Sequence, residues 1–321
     1  MTDRMHDAIA GSLLGLFCGD ALGMPYEAQP PEAIPERVEM EEARLGRGTY
    51  TDDTQMAIAV CESLLRCGGV DEDDLARAIA DAFDPDRGYG PGTTTVVRLW
   101  AEGVPRDEAA LRLFDGEGSA GNGAAMRVAP VGLLFAHDPE RCVAEARRQA
   151  RLTHAHPLGV DGAGVQAAAV AAAVRGEDHL VAARAAARTR ELRAKLDAAA
   201  DAARRVAFGA GTPERIASAP PQENSLSPAH VARLLGSTVA AHESVPAALV
   251  AACAPTFEAA LTFAVRCGGD TDTVAAMAGA VAGARHGAGA IPPRWLDALE
   301  DGPKGRTHVA HLAAQLADRI A

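Results

Sequence analysis

The chain has 321 residues, 48% of them hydrophobic but only 4% aromatic, so a large core is available and is built from small aliphatic side chains. Such a core suits closely packed helices, because alanine favours helix and lets helix axes approach, whereas sheets want β-branched and aromatic residues. The formal charge of −12 excludes a broad basic nucleic-acid face, since an acidic surface repels phosphate backbones, while a bound cation can still recruit an anionic small molecule.

In chain order, Ile9, Leu13, Leu16 and Phe17 sit at helical spacing. The apolar stretch from Ala8 to Cys18 follows Asp3 and Asp7 and runs into Gly19-Asp20. It reads as a buried first helix and not as a signal peptide, which wants a basic start. Pro25 to Pro35 is a proline-bearing loop that carries Glu27. Met56, Val60, Leu64 and Leu65, then Leu75, Ile79 and Phe83, mark two further helices. The loop Gly88-Tyr89-Gly90-Pro91-Gly92 leads into the helical run Val96 to Leu99, and Gly121-Asn122-Gly123 is a turn before small helical residues.

Thr153-His154-Ala155-His156 places two histidines at i, i+2, which do not share a helix face, so a two-histidine metal pair is not expected. For this segment a single ligand-contacting histidine and a structural histidine capping a helix both remain open. Val181 to Val206, rich in Ala, Arg and Leu, is expected to be one long amphipathic surface helix. Ser218 to Pro228 reads as a polar connector, and Ile291-Pro292-Pro293 closes the last glycine-rich stretch. With no apolar run of about 20 residues noted, no membrane span is expected. The six cysteines form no C-x-x-C pair, which argues against a zinc site or a disulfide framework and for mostly buried, reduced thiols in a cytoplasmic protein.

Two acidic clusters carry the chemistry. Thr51-Asp52-Asp53-Thr54 and Asp270-Thr271-Asp272-Thr273 each stand where a helix N-cap is expected. Capping explains one Asp per helix start. Two carboxylates at each start exceed that need and repel one another, a cost that a cation removes. Oxygen donors from Asp and Thr suit Mg²⁺, Mn²⁺ or Ca²⁺ and not zinc. Gly268-Gly269 permits a tight turn ahead of Asp270. The clusters lie at opposite ends of the chain, so a shared site requires the ends to pack together in a single domain spanning 1–321.

Together, Gly11-x-x-x-Gly15-x-x-x-Gly19-Asp20-Ala21-Leu22-Gly23 with Glu27, Tyr50-Thr51-Asp52-Asp53-Thr54, Gly88-Tyr89-Gly90, Gly121-Asn122-Gly123-Ala124-Ala125-Met126-Arg127, Thr153-His154 and Gly268-Gly269-Asp270-Thr271-Asp272-Thr273 resemble the ADP-ribosylglycohydrolase family. The matched motifs run in family order from residue 11 to about 285. The resemblance implies an all-α, compact single-domain orthogonal helical bundle and a centre of two Mg²⁺, with Mn²⁺ as the alternative. By position, Thr51, Asp52 and Asp53 fall on one ligand group, and Asp270, Asp272 and Thr273 on the other. Asp53 and Asp272 thereby also count among the catalytic residues. Glu27 falls on a mobile glutamate near the metals. Gly88, Tyr89, Gly90 and Gly92, with Gly121, Asn122 and Gly123, fall on loops around the diphosphate and distal ribose, and His154 on a substrate-contacting histidine.

The activity so implied is hydrolysis of the N- or O-glycosidic bond between ADP-ribose and a modified protein side chain, and the chain is expected to be a monomer with no membrane partner and no broad nucleic-acid face. Alternatives are small conjugates such as O-acetyl-ADP-ribose or α-NAD, ADP-ribosylated nucleic acid, a module that binds ADP-ribose without cleaving it, and a structural helical protein with acidic caps.

Overall fold

The computed structural model describes residues 2–206 and 225–320. Among the described residues there are seventeen α-helices and no strand, only isolated bridges joining Gly121 to Ala240 and Val206 to Leu226. The helices that position the site are α1 (Thr2–Gly23), α2 (Asp52–Cys67), α3 (Pro91–Ala101), α4 (Gly123–Met126), α5 (Pro139–Arg151), α6 (Pro157–Arg175), α7 (Ala241–Ala251) and α8 (Thr271–His286). One continuous aliphatic core runs through the molecule, with a small satellite of Val96, Ala109, Ala110 and Leu113 beneath α3. The all-helical packing expected from the composition, and the compact single-domain architecture implied by the resemblance, are what forms.

Four glycines decide how the chain ends meet. Gly11, Gly15, Gly19 and Gly23 recur every fourth residue, so they line one side of α1. That side lies against α8 running the opposite way. A methyl group at Gly11, Gly15, Gly19 or Gly23 would overlap the carbonyl oxygen of Gly283, Gly279, Ala275 or Thr271, respectively. Gly279 and Gly283 meet the carbonyls of Gly15 and Gly11 in return. The two backbones therefore touch from Gly11 to Gly23 of α1, as only side-chain-free positions allow. This contact brings Asp20, near the end of α1, to the N-terminus of α8.

α1 and α6 are long and apolar enough to cross a membrane by length and composition, which corrects the expectation that no such run exists. In each, 89% of the apolar window is buried inside the fold. Their apolar length is used by the core: α6 packs against α5, α7 and α8 at once, so it needs no polar face.

The expected long helix from Val181 to Val206 is broken. His179–Ala186 and Arg190–Ala203 are separate helices with Ala187, Arg188 and Thr189 between them. The cause is Asp161 of α6. Its carboxylate accepts hydrogen bonds from the backbone N–H groups of Arg188 and Thr189, both at 2.8 Å, and from the Thr189 hydroxyl at 3.0 Å. Those N–H groups are thereby taken out of helical pairing. Periodicity alone does not reveal a break imposed from another helix. Of the polar connector, residues 218–224 lie outside the described residues, and Pro228 already begins a helix. Cys18, Cys61, Cys142 and Cys267 are buried free thiols, Cys253 is partly buried and Cys67 is exposed.

Candidate active site

The first acidic cluster opens α2. Thr51 is the N-cap, and its hydroxyl oxygen accepts from the Asp53 backbone N–H at 3.4 Å. The cluster is held by Asp20, which reasoning from the two motifs alone left without a role. The Asp20 carboxylate accepts from the Thr51 hydroxyl at 2.8 Å, the Thr54 hydroxyl at 2.6 Å, and the backbone N–H groups of Thr51 and Thr54. It caps α2 from outside, across 31 residues of sequence. Burial raises the Asp20 carboxyl to about 6 even though the bonds from Thr54 and Thr51 oppose the shift. The signal for it was present in Gly19-Asp20, a charged residue inside an otherwise apolar helix.

The second cluster opens α8, and here capping fails as an explanation. Asp270 occupies the N-cap position, but its side chain makes no capping bond to the backbone of its own helix. Its carboxylate instead accepts from the Asn122 amide at 2.5 Å, and that amide also donates to the Ser244 hydroxyl at 3.1 Å. Asn122, expected at a ribose or phosphate, is thus buried with its amide engaged by Asp270 and Ser244. The Gly268-Gly269 turn is wedged between two loop segments, at Ala28–Gln29 and at Ser237. Ala28 donates to the Gly269 carbonyl and Gly269 donates to the Gln29 carbonyl, at 2.8 and 2.9 Å, while Asp270 donates to Ser237 at 2.8 Å. Both glycines have positive φ, near 71° and 75°, where a β-carbon is strained and would also collide with Gln29 or Ser237. The pairing seats Glu27, exposed at the rim, beside Asp270.

The clusters meet. The Thr273 hydroxyl donates to Asp53 Oδ2 at 3.3 Å, and the Thr51 hydroxyl is placed 3.2 Å from the same oxygen. The other oxygen, Asp53 Oδ1, is buried with no hydrogen-bond partner among the described residues. Burial and then the charge of Asp20 push Asp53 well above the ordinary carboxylate range, with Asp272, Asp52 and Asp270 adding to it. Asp272 is raised in the same direction by burial, then by Asp270 and Glu27. Half-buried Asp52 is pushed up to about 8 by burial and by Asp20. Asp270 rises through burial although the Asn122 bond opposes it, and Glu27 through burial and Asp270, opposed by Arg44. No three Asp, Glu, His or Cys side chains among the described residues form a ready-made cage. What is present is a crowd of like charges, an orphaned carboxylate oxygen and two threonine hydroxyls, all oxygen donors. That chemistry fits a hard divalent cation.

The glycine loops border this centre. Arg87 stacks on the Tyr50 ring with its guanidinium carbon 3.9 Å from the centroid, and donates to the Tyr50 carbonyl at 2.7 Å and to Glu300 at 2.6 Å. The Gly88 loop is therefore tied to the residue that precedes the first cluster. Arg44 lies across Gly88 and donates to the Asp86 carbonyl at 2.7 Å. Tyr89 packs on Phe83 and donates its hydroxyl to Gln55 of α2 at 2.8 Å. Gly90 is the N-cap of α3 and is open to solvent. Gly92 and Gly121 converge on Ser119, whose hydroxyl oxygen accepts from the Gly121 N–H at 3.2 Å. Ser119 has no motif around it that marks it in the sequence. His154 is buried against Gly121 and Gly123, so the two glycine segments and His154 do come together.

The family model for ADP-ribosylglycohydrolase matches residues 1–321. "ADP-ribosylhydrolase ARH3" of Bos taurus is 35% identical over 336 residues, covering 92% of this chain and 90% of that protein. "Uncharacterized protein YegU" of Escherichia coli is 33% identical over 324 residues, covering 89% and 90%. A solved structure described as an "ADP-ribosylglycohydrolase-related protein complex" superposes with a TM-score of 0.76 at 32% identity, covering 99% of this chain and all of that one.

Proposed function

Because the chain belongs to the ADP-ribosylglycohydrolase family, and is thereby a hydrolase acting on ADP-ribose conjugates, we propose that it cleaves the glycosidic bond between ADP-ribose and a modified protein side chain in a Mg²⁺- or Mn²⁺-dependent reaction. The observation that carries the proposal is the bond from Thr273 to Asp53, which joins two carboxylate groups from opposite ends of the chain around an unpartnered oxygen. Thr51, Asp52 and Asp53 would hold one side of a cation pair, and Asp270, Asp272 and Thr273 the other. When bound, such cations supply Lewis-acid stabilisation of charge and a water activated at neutral pH.

The chain's own residues do the rest. Asp20 fixes the first ligand group and Asn122 the second. Glu27, with its carboxyl held above the ordinary range, carries a proton to the leaving group as the anomeric carbon gains oxocarbenium character. Backbone N–H groups of the Gly88–Gly92 segment, at the start of α3, bind the diphosphate, which offers them negative charge, while in the second segment the Gly121 and Asn122 N–H groups are already taken by Ser119 and Val239 and leave that of Gly123. His154 orients the ligand from beneath the second segment.

The test is release of free ADP-ribose from ADP-ribosyl-arginine and ADP-ribosyl-serine peptides, O-acetyl-ADP-ribose, α-NAD and an ADP-ribosylated oligonucleotide. Turnover of a peptide above the others supports the proposal. Preference for a small conjugate or the oligonucleotide replaces the substrate. Calorimetric binding of ADP-ribose with no product over hours replaces the enzyme with a binding module.

A further inference from the structure

Arg127 is fully buried, yet among the described residues it forms no ion pair. It follows α4, and its guanidinium is spent on three oxygens. Nε donates to Gln149 Oε1 at 2.8 Å, and one terminal nitrogen donates to the Gln149 carbonyl at 3.0 Å and to the Thr153 hydroxyl oxygen at 2.9 Å. Gln149 is itself fixed, because its amide nitrogen donates to the Ala124 carbonyl at 2.9 Å. Burying a cation without a carboxylate is unfavourable, and these bonds, with a 3.9 Å contact from the other terminal nitrogen to Met56 Sδ, also tie the turn after α4 to α2 and to the end of α5. The arrangement polarises Thr153 as well.

Thr153 lies 2.8 Å from Nδ1 of His154, and both residues are buried. The hydroxyl oxygen already accepts from Arg127. Its single proton then has Nδ1 as its acceptor. Were Nδ1 protonated instead, the Thr153 proton would be buried with no acceptor among the described residues. The remaining ring proton must sit on Nε2. Nε2 has no partner among the described residues and faces the turn: a β-carbon at Gly123 would stand 3.2 Å from it and one at Gly121 3.7 Å away. Burial, and then the nearby Arg127 charge, lower the imidazole to about 3, so the ring is neutral at physiological pH.

We propose that Arg127 and Thr153 form a positioning relay that holds His154 as the neutral Nε2–H tautomer, an uncharged hydrogen-bond donor aimed past Gly121 and Gly123 at an oxygen of the bound ligand. The inference rests on reading that turn as part of the ligand site. A neutral donor suits a ribose hydroxyl or phosphate ester oxygen beside the carboxylate clusters, because it binds without adding a charge that would compete for them.

The experiment uses the full chain with histidine-selective ¹⁵N labelling and long-range ¹H–¹⁵N spectra, with His154 assigned by loss of its signals in His154→Asn. Wild type should show Nε2 protonated and Nδ1 as a hydrogen-bonded acceptor, without titration from about pH 5.5 to 8.5. Thr153→Val should move Nδ1 to the position of a nitrogen with no hydrogen bond and raise KM for ADP-ribose release roughly tenfold, the scale of one neutral hydrogen bond. Thr153→Ser should restore both. Arg127→Met should let the Nδ1–H form appear beside the first. A wild-type Nδ1–H tautomer, a protonated wild-type ring, or Thr153→Val with unchanged Nδ1 signal and KM would overturn the relay. The spectra need no substrate, so a wild type inert towards every conjugate would count against the proposed activity alone.

Discussion

The Thr273 hydroxyl donates to Asp53 across 220 residues of sequence, at 3.3 Å. Neither residue is placed by its chain neighbours alone, although Thr51 caps the Asp53 N–H. Asp53 is set by Asp20 through the capping of α2, and Thr273 by the glycine contact of α8 with α1. One helix, α1, thus carries both alignments, through Asp20 on one position and Gly11, Gly15, Gly19 and Gly23 on its other face.

The first prediction concerns Asp53 and Asp272. Each is buried among like charges and raised by them, so each is held at a cost to the cation-free fold. Asp53→Asn and Asp272→Asn should lower kcat by about 10³ or more, the scale expected when an electrostatic stabiliser of the reacting centre is lost. In EDTA both should melt no lower than wild type. A calorimetric melt beside an ADP-ribose release assay checks the pair of effects. A variant that is inactive only because it unfolds would not fit.

The second prediction concerns Gly19. A methyl group there overlaps the Ala275 carbonyl. Gly19→Ala should cost about 1–3 kcal/mol, as overpacking does. Because the displaced segment carries Asp20, activity should fall further than the stability loss explains. Urea midpoints and kcat/KM measured at a temperature where the variant remains folded separate the two effects.

The third prediction concerns Asp161. It is buried, paired with Arg147 at 2.7 Å, and holds the break between two helices. Asp161→Asn should cost about 3–5 kcal/mol by leaving the Arg147 charge buried without its partner. Burial pushes the Asp161 carboxyl up, but the bonds from Thr189, Arg147 and Arg188 outweigh it and leave the group below its ordinary 3.8. A lowered folded value means stability that is present above 3.8 and lost as pH falls through the folded value. Denaturant midpoints from about pH 7 to pH 3 should therefore fall less steeply in the variant than in wild type.

Much of this was legible in the sequence because it is local. Helix starts at Asp52 and Thr271, the Gly268-Gly269 turn and the aliphatic core all follow from short-range pattern. The partners of the site residues were less legible because they come from elsewhere in the chain. Asn122 appears as a loop amide until Asp270 is found against it, and Ser119 gives no signal until Gly92 and Gly121 converge on it. The broken helix at Ala187 to Thr189 has the same origin, since a carboxylate on α6 overrides favourable local propensity. The glycines of α1 are an intermediate case: their spacing of four is visible, but the face they meet is not.

The central claim is that two distant carboxylate groups form one cation-dependent hydrolytic site. Its most direct test is ADP-ribose release in chelator-treated buffer, titrated with Mg²⁺ or Mn²⁺, using wild type, Asp53→Asn and Asp272→Asn on the best conjugate. The account predicts that EDTA abolishes wild-type release, that either cation restores it, and that each variant stays inactive at every cation concentration while remaining folded. Wild-type release that is indifferent to EDTA, or full cation-dependent activity in either folded variant, would contradict it.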